Sequence, residues 1–265
     1  MRLLFLSWLC LVAALPLRAS EVDVELLLMV DVSLSMSPEE LEIQRRGYAE
    51  AIRSDEVLAA IGSGFTGRVA LAYVEWAGVN SHDVIVDWRL VETREDADAF
   101  AAALDDHFPT AMRRTSLTGA LRFGQRMIET NDFDGLRRVI DISGDGPNNQ
   151  GGAVDRRRDL VLAAGIVING LPLMTRDGGF SHLHLDDLDV YYRACVTGGP
   201  GSFVLPVTRW EDFATAVRRK LVLELAGRAP VVTPAQFAPR PEYDCQIGER
   251  LWEQYRGRVG PFGGP

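Results

Sequence analysis

The sequence predicts an α/β protein: a Rossmann-like open, mostly parallel sheet of about six strands, with helices on both faces and one antiparallel edge strand. Three observations predict it. Strand-like and helix-like stretches alternate from residue 22 to residue 227. The first strand is almost continuously apolar, as a strand covered on both faces must be. A short Gly78-Val79-Asn80-Ser81 link joins the second and third strands, which marks a hairpin and hence an antiparallel edge.

The first strand runs from Val22 to Val30 and ends at Asp31-Val32-Ser33-Leu34-Ser35-Met36. Ser37-Pro38-Glu39-Glu40 then supplies an N-cap, a proline at the first helical position and a glutamate at the third, so a helix starts at Pro38 with Leu41, Tyr48 and Ile52 facing the sheet. Arg68 to Ala77 and His82 to Val91 read as the hairpin strands. Ala97 to His107 and Leu117 to Thr130 read as helices, and Arg138 to Ser143 as the next strand, closed by Gly144-Asp145-Gly146-Pro147-Asn148-Asn149. A fifth strand lies within Ala164 to Met174 and a short helix spans Leu185 to Cys195. Ser202 to Val207 reads as a sixth strand. A second capping box, Thr208-Arg209-Trp210-Glu211, is expected to open a helix that runs to Gly227.

Two segments flank this domain, which is assigned to residues 20–227. Residues 1–19 read as a secretory signal peptide: Arg2, the apolar run Leu3 to Leu17, then Arg18-Ala19-Ser20. That run is shorter than a membrane span requires. Residues 228–265 form a proline-rich tail in which Ile247, Leu251 and Tyr255 mark one short helix. Removing the leader takes the net charge from −9 to −11, which disfavours a sequence-independent grip on nucleic acid or anionic lipid. It also leaves two cysteines, Cys195 and Cys245, which outside the cytoplasm are expected to form a bridge.

The chemistry concentrates in Asp31-x-Ser33-x-Ser35, at the carboxyl end of the sheet, where open α/β folds place their ligands. Alternate residues of a loop leaving a strand project the same way, so one carboxylate and two hydroxyls converge. A hard cation such as Mg²⁺ takes six oxygens at about 2.1 Å, so more donors must come from neighbouring loops. Thr115 and Asp145 are the candidates.

This constellation resembles the von Willebrand factor type A domain. Its metal-ion-dependent adhesion site has the pattern Asp-x-Ser-x-Ser, then a Thr, then an Asp. Thr115-Ser116-Leu117-Thr118-Gly119-Ala120-Leu121 keeps the family's spacing from the Thr to an Ala-Leu pair, and Ser143-Gly144-Asp145-Gly146 resembles its Thr-Asp-Gly loop. The run Cys195 to Val204, with the tail after it, is similar to a bacterial secreted branch of unknown function. The resemblance implies that Asp31, Ser33, Ser35, Thr115 and Asp145 hold Mg²⁺ (or Mn²⁺ or Ca²⁺), with an acidic group of a protein or other partner filling the open position. Two residues depart from the pattern. Arg114 stands where glycine is usual and would set a positive charge at the ligand rim. Gly144 stands where threonine is usual and removes a hydroxyl.

Competing readings are local. Asp31, Ser33 and Ser35 could form only turns leading to the Ser37 cap, Thr115 could cap the helix that follows, and Asp145 could be a turn residue. Glu75 and Trp76 would either line the rim or serve as packing and edge polarity. His182-Leu183-His184-Leu185-Asp186 has the spacing of a metallo-hydrolase opening but lacks the further histidines such sites draw on, so it reads as a surface loop. No phosphate-binding glycine loop or nucleophile elbow is present. The sequence therefore points to a metal-dependent binding module without turnover. A metal-assisted phosphoesterase or other hydrolase using the same site is the alternative, and a structural subunit with a vestigial site a third.

Overall fold

β1 (Ser20–Asp31) is the middle strand of the sheet, and its ten residues from Val22 on are buried, alternating between two covered faces. A computed structural model describes residues 19–107, 110–175, 184–226 and 242–259 of the chain. The segment assigned to a signal peptide thus lies almost wholly outside the described residues, as do His182 and much of the tail. β1 pairs in parallel with β2 (Val69–Trp76) and β4 (Phe133–Gly144), β4 pairs in parallel with β5 (Ile166–Pro172), and β3 (His82–Val91) runs antiparallel to β2 at the edge. The strand order is β3-β2-β1-β4-β5.

The period-2 alternation of β1 divides the core. Val24, Leu26, Leu28 and Val30 pack with Tyr73 and Val139 against α1 (Pro38–Ile52), α2 (Asp55–Gly62), α3 (Arg94–Asp105) and α7 (Phe213–Leu225). Leu27 and Met29 pack with Val74, Ile140 and Ile168 against α4 (Leu117–Glu129), α5 (Val154–Ala163) and α6 (Leu188–Tyr191). On the first face Tyr48 meets Tyr73 and Phe213 edge-on, with ring centroids 5.4 and 5.9 Å apart. Such contacts add to burial by about 0.5–1.5 kcal/mol each.

The sheet has five strands. The expected sixth, Ser202 to Val207, is reduced to isolated bridges from Val204 to Gly170 and from Val207 to Leu173. The reason is chemical: Pro206 offers no N–H, and the Phe203 N–H is taken by the Asn169 side chain at 3.1 Å. The second capping box also does not form. A 3₁₀ turn, Trp210–Asp212, precedes α7 without a side-chain cap, because Arg209 bonds Asp212 at 2.8 Å and the Trp210 indole donates to Glu40 at 2.7 Å. The short helix expected over Leu185 to Cys195 is α6 followed by a π turn, Tyr192–Val196. In the tail, α8 (Ile247–Val259) forms where Ile247, Leu251 and Tyr255 predicted a helix. No described helix is long and apolar enough to cross a membrane.

Candidate metal centre

The strand order sets the site. The chain leaves β1 toward β2 on one side and returns to β4 on the other, so the loops after β1 and β4 diverge at a topological switch point. Val30 is in register with Ser143, which brings Asp31 beside Gly144 and Asp145 at the carboxyl ends of the strands.

Asp31 is fully buried; its Oδ1 accepts the Ser33 N–H at 2.8 Å, while its Oδ2 is shielded from solvent with no hydrogen-bond donor. The Ser33 and Ser35 hydroxyls lie 2.9 Å apart, and Ser35 Oγ donates to Asp145 Oδ1 at 2.9 Å. Four of the five sequence-derived ligands are therefore joined in one chain of contacts. Thr115 sits in the adjoining loop, buried, and its backbone is paired both ways with Asn149: Thr115 N–H to Oδ1 at 3.1 Å and Asn149 N–H to the Thr115 carbonyl at 2.9 Å. That loop is held to the β1 loop by the Met112 N–H donating to the Val32 carbonyl at 2.8 Å.

The helix caps are supplied by neighbours of the candidate ligands. Ser37 caps α1 with a complete capping box, and Ser116, not Thr115, caps α4 through the Gly119 N–H at 3.0 Å. The hydroxyls of Ser33, Ser35 and Thr115 are left out of the capping scheme. An Asx-type turn at Asp31 is present, but it uses one carboxylate oxygen only.

Electrostatics give the cluster a reason to take a cation. Burial and the neighbouring Asp145 carboxylate push the Asp31 carboxyl well above the usual range. Burial likewise raises Asp145, to about 6, against the Ser35 hydrogen bond and with help from Glu40. Two carboxylates in a low-dielectric site repel each other and want a positive partner. Two carboxylates with three hydroxyls form an all-oxygen donor set that fits a hard divalent cation, and the unpartnered Asp31 Oδ2 is the oxygen most in need of one. Among the described residues no group of three or more His, Cys, Asp and Glu side chains is placed to hold a metal ion by itself, so the hydroxyls are needed to complete the donor set.

Glu75 is not on a rim. It is 3% exposed beneath the loops and accepts from Arg45 Nε at 3.1 Å, and Trp76 beside it is fully buried. Arg114 does stand next to Thr115, with φ +80°, the one described non-glycine residue with positive φ. Gly144 is explained by crowding: a Cβ there would fall 2.8 Å from Asp31 Oδ2 and 3.0 Å from the Tyr192 hydroxyl. Tyr192 thus fills the room a threonine side chain would need. The sequence showed Tyr192 only as part of an apolar helical stripe. Asn148 was likewise missed: its side chain donates to the Gly152 carbonyl at 3.0 Å and accepts from the Thr118 N–H at 3.0 Å, and its backbone N–H donates to the Tyr191 hydroxyl at 3.1 Å. His184 lies near enough to Asp145 to favour its charged form, at the edge of the described residues.

The fold is that of a von Willebrand factor type A-like domain. Within that class the chain belongs to the family described as "Protein of unknown function (DUF1194)", which matches residues 21–229. No curated protein matches it. Among solved structures it is similar to proximal thread matrix protein 1 from the mussel byssus, at 16% identity and TM-score 0.53, over 79% of this chain and 49% of that one. A second form of that protein, with a zinc-occupied MIDAS motif, matches at 14% identity and TM-score 0.51 over 79% and 49%. The pilus adhesin SpaC from Lactobacillus rhamnosus GG matches at 11% identity and TM-score 0.56, over 78% of this chain and 31% of that one. The chain spans half or less of these relatives, and the likeness is one of fold.

Proposed function

We propose that this protein is a secreted or periplasmic binding module in which Asp31, Ser33, Ser35, Thr115 and Asp145 hold a divalent cation, Mg²⁺ or else Mn²⁺ or Ca²⁺, that engages an acidic group of a partner. The observation that carries the reading is the buried Asp31 carboxylate, with one oxygen unpartnered, linked through Ser33 and Ser35 to Asp145. A bound cation would supply the missing charge and one open position for an incoming carboxylate. The zinc-occupied site of the mussel protein and the adhesin role of SpaC support the reading by analogy of fold. An export role is supported by the apolar leader and by the Cys195–Cys245 bridge, which persists in oxidising compartments.

Calorimetric titration of the wild type and Asp31→Ala with each of the three metals tests the reading. Binding in the wild type at one site, lost in the variant, is expected; no Asp31-dependent binding would leave a purely structural role. A phosphoesterase screen run alongside decides the alternative, since metal-dependent turnover abolished by Asp31→Ala would make the site catalytic.

A further inference from the structure

The C-terminal helix reaches the metal loops. The Cys195–Cys245 bridge anchors its start, the Tyr243 hydroxyl donates to Asp187 at 2.9 Å, and Asn148 donates to Glu249 at 2.6 Å. Gly248 permits this approach, since a Cβ there would collide with the Asn148 carbonyl. The helix thereby brings Trp252 against Arg114, whose guanidinium carbon lies 3.7 Å from the ring centroid.

Arg114 holds a left-handed backbone that glycine adopts freely and arginine does not. Its side chain is fixed by Trp252, yet Nη1 is shut off from solvent with no acceptor. Arg113 precedes it in the chain, and Arg256 lies one turn beyond Trp252 on the same face of α8, so three cations share one side of this loop. Arg113 and Arg256 are exposed, and among the described residues none of the three has a carboxylate partner. On a chain of net charge −9 such a cluster is unusual, and it lies one residue from Thr115.

We propose that Arg114, Arg113 and Arg256 form an anion subsite beside the metal centre, so that the partner is an acidic peptide segment with two carboxylates a few residues apart, one for the cation and one for the arginines. This rests on the metal-dependent reading above. Extended chain advances about 3.3 Å per residue, so a spacing of two to four residues suits a second acid reaching past Thr115 to its neighbour.

The test uses fluorescently labelled Gly/Ser peptides carrying one Asp, or that Asp and a Glu two, three or four residues on, and follows anisotropy with Mn²⁺ and with EDTA. The wild type is expected to bind the best two-acid peptide about tenfold more tightly than the one-acid peptide, the worth of a charge-assisted hydrogen bond. Arg114→Gly, which suits the backbone, and the surface change Arg256→Gln should each shrink that ratio, whereas Arg126→Gln, which removes a charge elsewhere, should not. A ratio near one in the wild type, a ratio unchanged in both variants, or no binding of any two-acid peptide overturns the proposal. Equal, Mn²⁺-dependent binding of both peptide types removes the arginine subsite and keeps the metal reading. A ratio that survives EDTA and Asp31→Ala supports the subsite while removing the metal from it.

Discussion

Asp31, Ser33 and Ser35 were legible because their meeting is decided within five residues: the strand ends, and alternate side chains share a direction. Asp145 and Thr115 were legible only as candidates in loops at the same end of the sheet, narrowed by the family pattern, since their arrival depends on strand order. Tyr192 and Asn148 were not legible, because their roles depend on how α6 and the β4 loop pack. Gly144 shows the cost of reading one position alone; its missing hydroxyl is a matter of space. Gly144→Thr should therefore destabilise the fold by about 1–3 kcal/mol in urea denaturation, by overpacking against Asp31 and Tyr192. A second residue-scale prediction concerns Asp23, at the opposite end of β1. Burial pushes its carboxyl up, but hydrogen bonds from Thr66, Gly67 and Arg68 outweigh that and hold it below the usual value. A depressed folded-state pKa means stability that is present above the unfolded value of about 4 and lost as pH falls through the folded one. Denaturation of Asp23→Asn at about pH 6 and about pH 3 should show a smaller loss on acidification than the wild type.

At the scale of elements, local signals succeeded where the side chains they name are free to act. Ser37 closes its capping box as written, with Glu40 Oε2 accepting the Ser37 N–H at 2.7 Å. The same Glu40 then accepts from Trp210, which helps explain why the Thr208 box fails: its third residue was drawn into tertiary contact. α3 begins at Arg94, ahead of the expected Ala97, because Thr93 and Asp96 form a box that was in the sequence to be read. α7 illustrates what pattern cannot show. Lys220 is fully buried, paired with Asp141 of β4 and with Glu224 at 2.7 Å, and Asn169 of β5 donates to Glu224 at 2.8 Å. Burial disfavours the ammonium, but the two carboxylates outweigh it and raise its pKa. Lys220→Met leaves two buried acids without their cation and should cost about 3–5 kcal/mol, measured by chemical denaturation. An unchanged midpoint would mean the pair contributes nothing to holding α7 on the sheet.

Across the whole molecule, one sheet order and one disulfide organise the candidate site. The order β3-β2-β1-β4-β5 places two loops of the candidate site at the switch point, and the alternation of strands and helices made this architecture readable. The bridge closes a loop of 50 residues and carries α8 onto the loop after β4 and the loop that holds Arg114; hydropathy located the helix but not the surface it covers. On the chain-entropy account, replacing both cysteines by serine should remove about 4 kcal/mol of stability. Calorimetric unfolding of the double variant against the wild type checks that figure, and a difference near zero would mean the tail is held by its other contacts. The account as a whole stands or falls on where a cation binds. Crystals of the wild type grown with Mn²⁺ should show one anomalous peak at the Asp31, Ser33, Ser35, Thr115 and Asp145 oxygens, at roughly 2.1–2.3 Å. A peak elsewhere with none at Asp31, or none at a saturating concentration, would contradict it.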